Sequence, residues 1–190
     1  MVKEESLDRK VAEVSEGERP FSYHVFHKPP ATHPLVSILI PSRDHVDLLQ
    51  RCIDSILGKT TYDNYEVVVI ENNSELEETF SYYQHVQHEN KERVRVVTWE
   101  GKGDFNYSCL INFGAKESSG DYLLLLNNDM ELRTPDWLER MVGLASRKNV
   151  GAVGARLLFP DNTIQHAGVI VSGGCANHFE TDLPDSDHGY

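Results

Sequence analysis

The 190-residue sequence carries a formal net charge of -12, with 39% hydrophobic and 25% charged residues. A chain of this length can bury about 70% of its unfolded surface in one globular domain. Nucleic-acid backbones are bound by clustered Lys and Arg, whereas the 18 basic residues here are scattered among 30 acidic ones, so a nucleic-acid partner is disfavoured. The apolar runs are far shorter than the roughly 20 residues of a transmembrane helix.

The first 34 residues mix charged side chains with prolines and show no sustained apolar period. We therefore predict a tail or linker over residues 1–34 and a folded domain over residues 35–190. The N-terminus lacks the apolar core of a secretory signal, and the three cysteines have no C-x-x-C spacing. A cytoplasmic location is the resulting expectation.

Strand-length apolar runs alternate with segments of helical period. The strands are predicted at residues 35–40, 65–70, 94–97 and 122–126. Helices are predicted from Val46 to a stop at Gly58, over 76–88, over 106–116, and from Thr134-Pro135 onward. This order predicts a Rossmann-like, doubly wound and mostly parallel α/β sheet with its ligand crevice at the carboxyl ends of the strands.

The Gly-rich segment from residue 151 onward is less periodic, and residues 163–171 are predicted to form an edge strand or a hairpin. Its three aspartates near the chain end, Asp182, Asp185 and Asp187, are interpreted as loop residues. His166, His178 and His188 have the residue type of metal ligands or of residues that line a sugar site, but ordinary hydrogen-bonded histidines are the favoured interpretation, with His178 as a weak exception.

A polar turn, Pro41-Ser42-Arg43-Asp44, follows the first predicted strand. Arg43 at the crevice suits a diphosphate or a nucleobase edge. Ser42 or Asp44 can also cap the following helix, which would leave Arg43 solvated. Local features leave both interpretations open.

Two further polar segments follow the second and third predicted strands. Glu71 and Asn72 open the cluster 71–74, which can hydrogen-bond a base or ribose, although Ser74 can simply cap the next helix. Lys102 stands between two glycines, as expected where a backbone approaches a phosphate, or in an ordinary surface turn.

The strongest motif is Asn127-Asn128-Asp129, which follows the fourth predicted strand. A buried strand there delivers a carboxylate to the mouth of the crevice, and a hard cation such as Mg²⁺ or Mn²⁺ is the partner that a carboxylate prefers. We therefore predict that Asp129 is a metal ligand. The alternative is that Asp129 merely opens a turn.

Three segments, taken in order, resemble family 2 glycosyltransferases of the GT-A fold: residues 36–42, 69–74 and 120–129. Residues 105–108, Asn112 with Gly114, and residues 164–168 are similar to bacterial members that build rhamnose-containing or other surface polysaccharides. The resemblance covers about residues 35–190.

The resemblance implies a metal-dependent, inverting transfer of a hexosyl or deoxyhexosyl group from a UDP- or dTDP-linked donor. It implies a saccharide or lipid-linked saccharide as the acceptor, and peripheral association of the full-length protein with the cytoplasmic membrane. The metal motif of the family is Asp-x-Asp, so the metal role passes to Asp129, while Asn127 replaces the first carboxylate. The nucleotide-sugar-binding residues implied are Pro41, Ser42, Arg43, Asp44, Glu71, Asn72, Lys102, Asn112 and Asn128.

The family's catalytic base is an acidic residue in a later motif, which has no convincing match before Tyr190. The expectation is a donor-binding fragment whose base lies downstream of Tyr190. Two alternatives stay open: a non-catalytic nucleotide- or carbohydrate-binding module, and a nucleotidyltransferase, whose basic Gly-rich loop after the first strand is absent.

Overall fold

The structure, a computed structural model, describes residues 12–17, 20–101 and 105–185. The chain divides into two compact units, with the boundary between Gly143 and Leu144. Within the described ranges, no helix combines the length and the apolar character needed to cross a membrane.

An antiparallel hairpin opens the first unit. Its strands are β1, Ala12–Glu16, and β2, Tyr23–His27, with Val14 opposite Val25. Part of the segment predicted as a tail or linker therefore forms regular strands. Most side chains of both strands are exposed, so the strands carry no burial alternation that a sequence pattern could reveal.

The core of the first unit is a four-stranded parallel sheet. Its strands are β3, Val36–Ser42; β4, Tyr65–Glu71; β5, Val94–Thr98; and β6, Tyr122–Leu125. The spatial order is β5-β4-β3-β6. The connections therefore run outward from β3 in both directions, which creates a topological switch point between β3 and β6. The four predicted parallel strands are confirmed.

Four helices follow strands β3 to β6 in turn: α1, Val46–Lys59; α2, Glu77–Glu89; α3, Tyr107–Glu117; and α4, Trp137–Ala145. Alternate residues of β3 face different helices, since Ile38 and Ile40 pack in one core with α1, α2 and α4, whereas Leu39 packs with α3. Both faces of the sheet are thus covered, as a doubly wound sheet requires.

The helix boundaries differ from the prediction by one residue for α1, α2 and α3, and by two residues for the start of α4. Helix α1 continues through Gly58 and ends at Lys59. Helix α4 begins at Trp137, two residues beyond Pro135, whose carbonyl accepts hydrogen bonds from the backbone N and the Oγ1 of Thr61, at 3.1 and 2.9 Å. That carbonyl is committed to Thr61, so the regular helix begins later.

The second unit contains two small antiparallel hairpins. Strand β7, Leu157–Leu158, pairs with β8, Ile164–His166; and β9, Val169–Ser172, pairs with β10, Cys175–His178. Gly173 and Gly174 join the second pair with φ of 59° and 81°, a conformation that glycine adopts without steric cost. Residues 163–171 therefore contribute one strand to each of two hairpins.

Candidate functional site

The loops after β3, β4 and β6 meet at the carboxyl edge of the parallel sheet. The backbone N of Asn72 donates to the carbonyl of Ser42 at 2.9 Å, which joins the first two loops. The side-chain amide of Asn128 lies 3.5 Å from the hydroxyl of Ser42, which brings the third loop to the same place. The predicted crevice edge is therefore where these three polar motifs come together.

The loop after β3 is held by Asp44. Its Oδ1 accepts from the backbone N of Glu75 and of Leu76, both at 3.0 Å, and from Thr79 Oγ1 at 3.2 Å. The hydrogen bond from Leu76 is the largest influence on the pKa of Asp44, which is lowered. Asp44 therefore stabilises the first turn of α2.

Of the two interpretations of this turn, the one in which Ser42 or Asp44 caps α1 does not hold. The residue before α1 is His45, which has φ and ψ of 51° and makes no side-chain cap. Arg43 is exposed and forms a surface ion pair with Glu75 at 2.7 Å. Its guanidinium is therefore accessible from solvent. Pro41 lies within β3 and is partly buried.

The loop after β4 is built around a buried carboxylate. Glu71 is only 3% exposed, and its oxygens accept from the backbone N of Ser74 at 2.6 Å, from Ser74 Oγ at 2.6 Å, and from the Tyr83 hydroxyl at 2.8 Å. Ser74 is thus occupied with Glu71 rather than with a cap of α2. Asn72 is partly buried, and its Oδ1 accepts from Asn73 at 3.2 Å.

The loop after β6 presents Asp129 to solvent. The backbone of Leu126 still donates to the carbonyl of Leu39 at 3.0 Å, and the Cys52 thiol lies 3.7 Å from the carbonyl of Asn127. Burial raises the pKa of Cys52 to about 12, and the negative charge of Asp129 contributes in the same direction. Asp129 is exposed, so its carboxylate is accessible.

The residues at this loop fit a cation that is bound partly by substrate. Among residues 12–17, 20–101 and 105–185, no group of three or more His, Cys, Asp or Glu side chains is arranged to hold a metal ion. Mg²⁺ is commonly held by one or two carboxylates together with substrate phosphates. Asp129 would supply one such oxygen ligand, and the amide of neighbouring Asn128 is directed towards Ser42.

Two of the predicted residues do not belong to these three loops. Asn112 is exposed in the middle of α3, away from the three loops along the chain. Lys102 lies outside the described residues. Sequence reasoning missed Tyr83, which stands twelve positions after Glu71 in the middle of a helix, where an aromatic residue is typical of an ordinary core position.

The second unit brings two of the sequence-predicted histidines together. The Nδ1 atoms of His166 and His178 are 2.8 Å apart, and the two rings meet edge to face. Asp185 is paired with Arg156 at 3.2 Å, and Asp182 lies in a turn with φ of 68°. The loop interpretation of these two aspartates agrees with that geometry, while Asp187 and His188 lie outside the described residues.

Two cavities of the first unit lie at the opposite, amino edge of the sheet. One, of about 540 Å³, is lined by residues that include His33, Leu35 and Asp121. The other, of about 350 Å³, is lined by Tyr62, Asp63 and Arg93 among others. Neither contains a predicted site residue.

A doubly wound sheet with polar loops gathered at its switch point defines a nucleotide-binding type of α/β protein. Comparison with known sequences makes the assignment specific, because the family described as "Glycosyl transferase family 2" matches residues 37–170. The chain belongs to this family.

Two curated relatives are 43% identical to the chain. One is "Uncharacterized protein y4gI" of Sinorhizobium fredii, matched over 92% of the chain. The other is "O-antigen biosynthesis protein RfbC" of Myxococcus xanthus, matched over 87% of the chain. The match spans only 19% and 13% of the lengths of these two relatives.

Solved structures confirm the fold. The mannosyltransferase PcManGT of Pyrobaculum calidifontis, in complex with GDP-Man and Mn²⁺, superimposes with a TM-score of 0.61 at 19% identity, covering 76% of this chain and 41% of that one. GalNAc-T7 with UDP, GalNAc and Mn²⁺ gives a TM-score of 0.53 at 21% identity, covering 60% and 21% of the two chains. The predicted GT-A fold is therefore confirmed.

Proposed function

We propose that this chain is the donor-binding part of a metal-dependent, inverting glycosyltransferase. It would move a hexosyl or deoxyhexosyl group from a UDP- or dTDP-linked donor to a saccharide or lipid-linked saccharide in polysaccharide biosynthesis. The observation that carries the proposal is the convergence of the loops after β3, β4 and β6, which places Arg43, Asn72 and Asp129 on loops that share one edge of the sheet.

The comparisons support the substrate class. The relative from Myxococcus is named for O-antigen biosynthesis, and the two structural neighbours carry nucleotides or a nucleotide sugar together with Mn²⁺. For the full-length protein we propose a cytoplasmic location with peripheral attachment to the membrane, where a lipid-linked acceptor would be accessible.

Different residues of the site would bind different parts of the donor. Arg43 is exposed, and its guanidinium suits a diphosphate or a base edge. Asn72 offers an amide to the base or ribose. The other proposed nucleotide-sugar-binding residues of these loops are Pro41, Ser42, Asp44, Glu71 and Asn128. Two more, Lys102 and Asn112, lie outside the loops.

Asp129 would hold Mg²⁺ or Mn²⁺, which when bound stabilises negative charge on a departing nucleoside diphosphate. The side chain is exposed and, in the described part of the chain, makes no ion pair, so it can accept a cation without giving up an existing partner. We propose that the carboxylate that deprotonates the acceptor follows Tyr190 in the longer protein.

The test is calorimetric titration of the 190-residue chain with UDP, dTDP and GDP in Mn²⁺, in Mg²⁺ and in excess chelator. We expect binding that requires the cation, and Asp129→Asn should weaken it roughly tenfold to a hundredfold because a charged ligand is lost. Asp63→Asn is the matched control, since Asp63 is an exposed carboxylate at the opposite edge of the sheet. Affinity that is unchanged by chelator would overturn the metal role.

A second candidate function is a non-catalytic nucleotide- or carbohydrate-binding module. Asn127 favours it, because the motif after β6 retains a single carboxylate where the family has two. Sugar transfer from a radiolabelled donor by the full-length protein distinguishes the two functions. Donor binding without any transfer would favour the module.

A further inference from the structure

A group of buried polar side chains lies directly beneath the three loops. Tyr83 of α2 is 4% exposed, and Glu71 and Ser42 are each 3% exposed. The Tyr83 hydroxyl donates to Glu71 Oε2 at 2.8 Å. Because buried polar groups are costly unless they are paired, these side chains constrain one another.

The loop that Tyr83 holds through Glu71 is joined to the other two loops at Ser42. The backbone N of Asn72, next to Glu71, donates to the Ser42 carbonyl at 2.9 Å, and the Asn128 amide approaches the Ser42 hydroxyl at 3.5 Å. Through Glu71, Tyr83 therefore anchors the loop that carries Asn72 at the place where the loops after β3 and β6 meet it.

Ser74 makes the connection between the first two loops tighter. Its hydroxyl donates to Glu71 at 2.6 Å and accepts from the backbone N of Asp44 at 3.0 Å. No ion pair to Glu71 is present in the described part of the chain. The placement of its carboxylate therefore depends on hydroxyl and amide donors, of which only the Tyr83 hydroxyl comes from outside the loops.

We propose that Tyr83 is a positioning residue for donor binding: its hydroxyl fixes the loop that carries Asn72 relative to the loop that carries Asp129. This inference rests on the proposed function, since it assumes that a nucleotide sugar bridges these two loops. Tyr83 itself is buried and would not touch the donor.

The experiment compares Tyr83→Phe with Tyr62→Phe. Both tyrosines are buried, and each hydroxyl donates one hydrogen bond of 2.8 Å, but the acceptor of Tyr62 is the carbonyl of Pro34 at the amino edge of the sheet. Each variant loses one buried hydrogen bond, and Tyr83→Phe should lose more thermal stability because its acceptor is a carboxylate. Affinity for UDP or dTDP in Mn²⁺ is measured well below both melting temperatures.

We expect Tyr83→Phe to weaken nucleotide binding about fivefold to tenfold and Tyr62→Phe to leave it unchanged. The ratio of affinities with and without Mn²⁺ should also fall in Tyr83→Phe, since the Asp129 loop is released from the Asn72 loop. Equal affinities in the two variants, with nucleotide binding intact in the unaltered chain, would refute the inference alone. Absence of binding in the unaltered chain would refute the proposed function and the inference with it.

If Tyr83→Phe does not fold, Ser74→Ala takes its place with the same readouts, because it removes the hydroxyl that joins Glu71 to Asp44. Its expected loss of affinity is again about fivefold, from one hydrogen bond. Unaltered nucleotide affinity in a folded Ser74→Ala would count against fixed placement of the loops.

Discussion

The two ends of β4 each carry a glutamate, and the two are held in different ways. At the amino end, Glu66 accepts from Ser37 Oγ at 2.6 Å, from the backbone N of Ser119 at 2.8 Å and from Arg95 Nε at 3.1 Å. At the carboxyl end, Glu71 accepts from hydroxyls and an amide, and no cationic side chain of the described residues pairs with it. The first arrangement joins strands to each other, whereas the second joins loops to each other.

Left-handed backbone is more frequent at the carboxyl edge. Asp44, His45 and Asn73 all have positive φ there, between 49° and 56°, whereas His33, near the amino edge, has φ of 43°; left-handed non-glycine residues concentrate at functional sites because they cost energy. At the amino edge, the backbone N of Gly120 donates to Ser37 Oγ at 2.8 Å and extends the Glu66 network towards β6. The amino edge thus holds the network around Glu66, and the carboxyl edge holds a cluster of left-handed residues in its loops.

The largest change in stability is expected from Gly120→Ala. A Cβ there would lie 2.6 Å from both the backbone N and the Oγ of Ser37, so the chain must shift, at a cost of about 2 kcal/mol. Chemical denaturation should show this loss while nucleotide affinity stays unchanged, since the site lies at the other edge. Gly58→Ala is the control, because nothing lies within 4 Å and the residue is helical; equal stabilities of the two variants would contradict the account of Ser37.

A smaller effect, of about 1 kcal/mol at neutral pH, is expected for Glu66→Gln. Burial acts to raise the pKa of Glu66, but hydrogen bonds from Ser37, Ser119 and Arg95 outweigh it, and the pKa is lowered. A carboxylate with a lowered folded-state pKa contributes stability above its unfolded pKa and loses that contribution as the pH falls through the folded value.

The difference in unfolding free energy between the unaltered chain and Glu66→Gln should therefore shrink as the pH falls below about 4. Urea denaturation at several pH values measures it. A gap that stays constant between neutral and acidic pH would show that the charge of Glu66 is not what holds the amino edge together.

The smallest change in stability is expected for Arg43→Ala, below about 0.5 kcal/mol, because the ion pair with Glu75 is exposed. Nucleoside diphosphate affinity should nevertheless fall about tenfold, since a guanidinium contributes charge-assisted hydrogen bonds to phosphate. Arg51→Ala is the matched control, an exposed arginine paired with Asp47 on α1. Equal affinities in both variants would remove Arg43 from the site.

The parallel sheet was predictable because its strands are buried on both faces. Val67, Val68 and Val69 form an unbroken apolar run, and each is fully buried in the structure. The start of α3 was predictable for a local reason, since Asn106 caps it through a hydrogen bond to the backbone N of Cys109. Signals of this kind lie within a few residues of the element that they specify.

The features that escaped prediction depend on contacts between distant residues. Asp44 was one of two candidates to cap the helix that follows it, yet its carboxylate holds the segment that leads into α2, more than thirty residues further along the chain. Tyr83 reaches Glu71 from the middle of a helix, where its hydroxyl has no sequence signal. Strands β1 and β2 pair with each other and bury few side chains. Neither is therefore recognisable as a strand from the sequence.

The hydrogen bonds that Asp44 accepts just before α2 have a consequence for exchange kinetics. The amides of Glu75 and Leu76 are protected from exchange with water while the Asp44 carboxylate accepts from them. Isotope exchange at these two amides therefore reports how often the loop after β3 separates from the segment that leads into α2, at the carboxyl edge of the sheet.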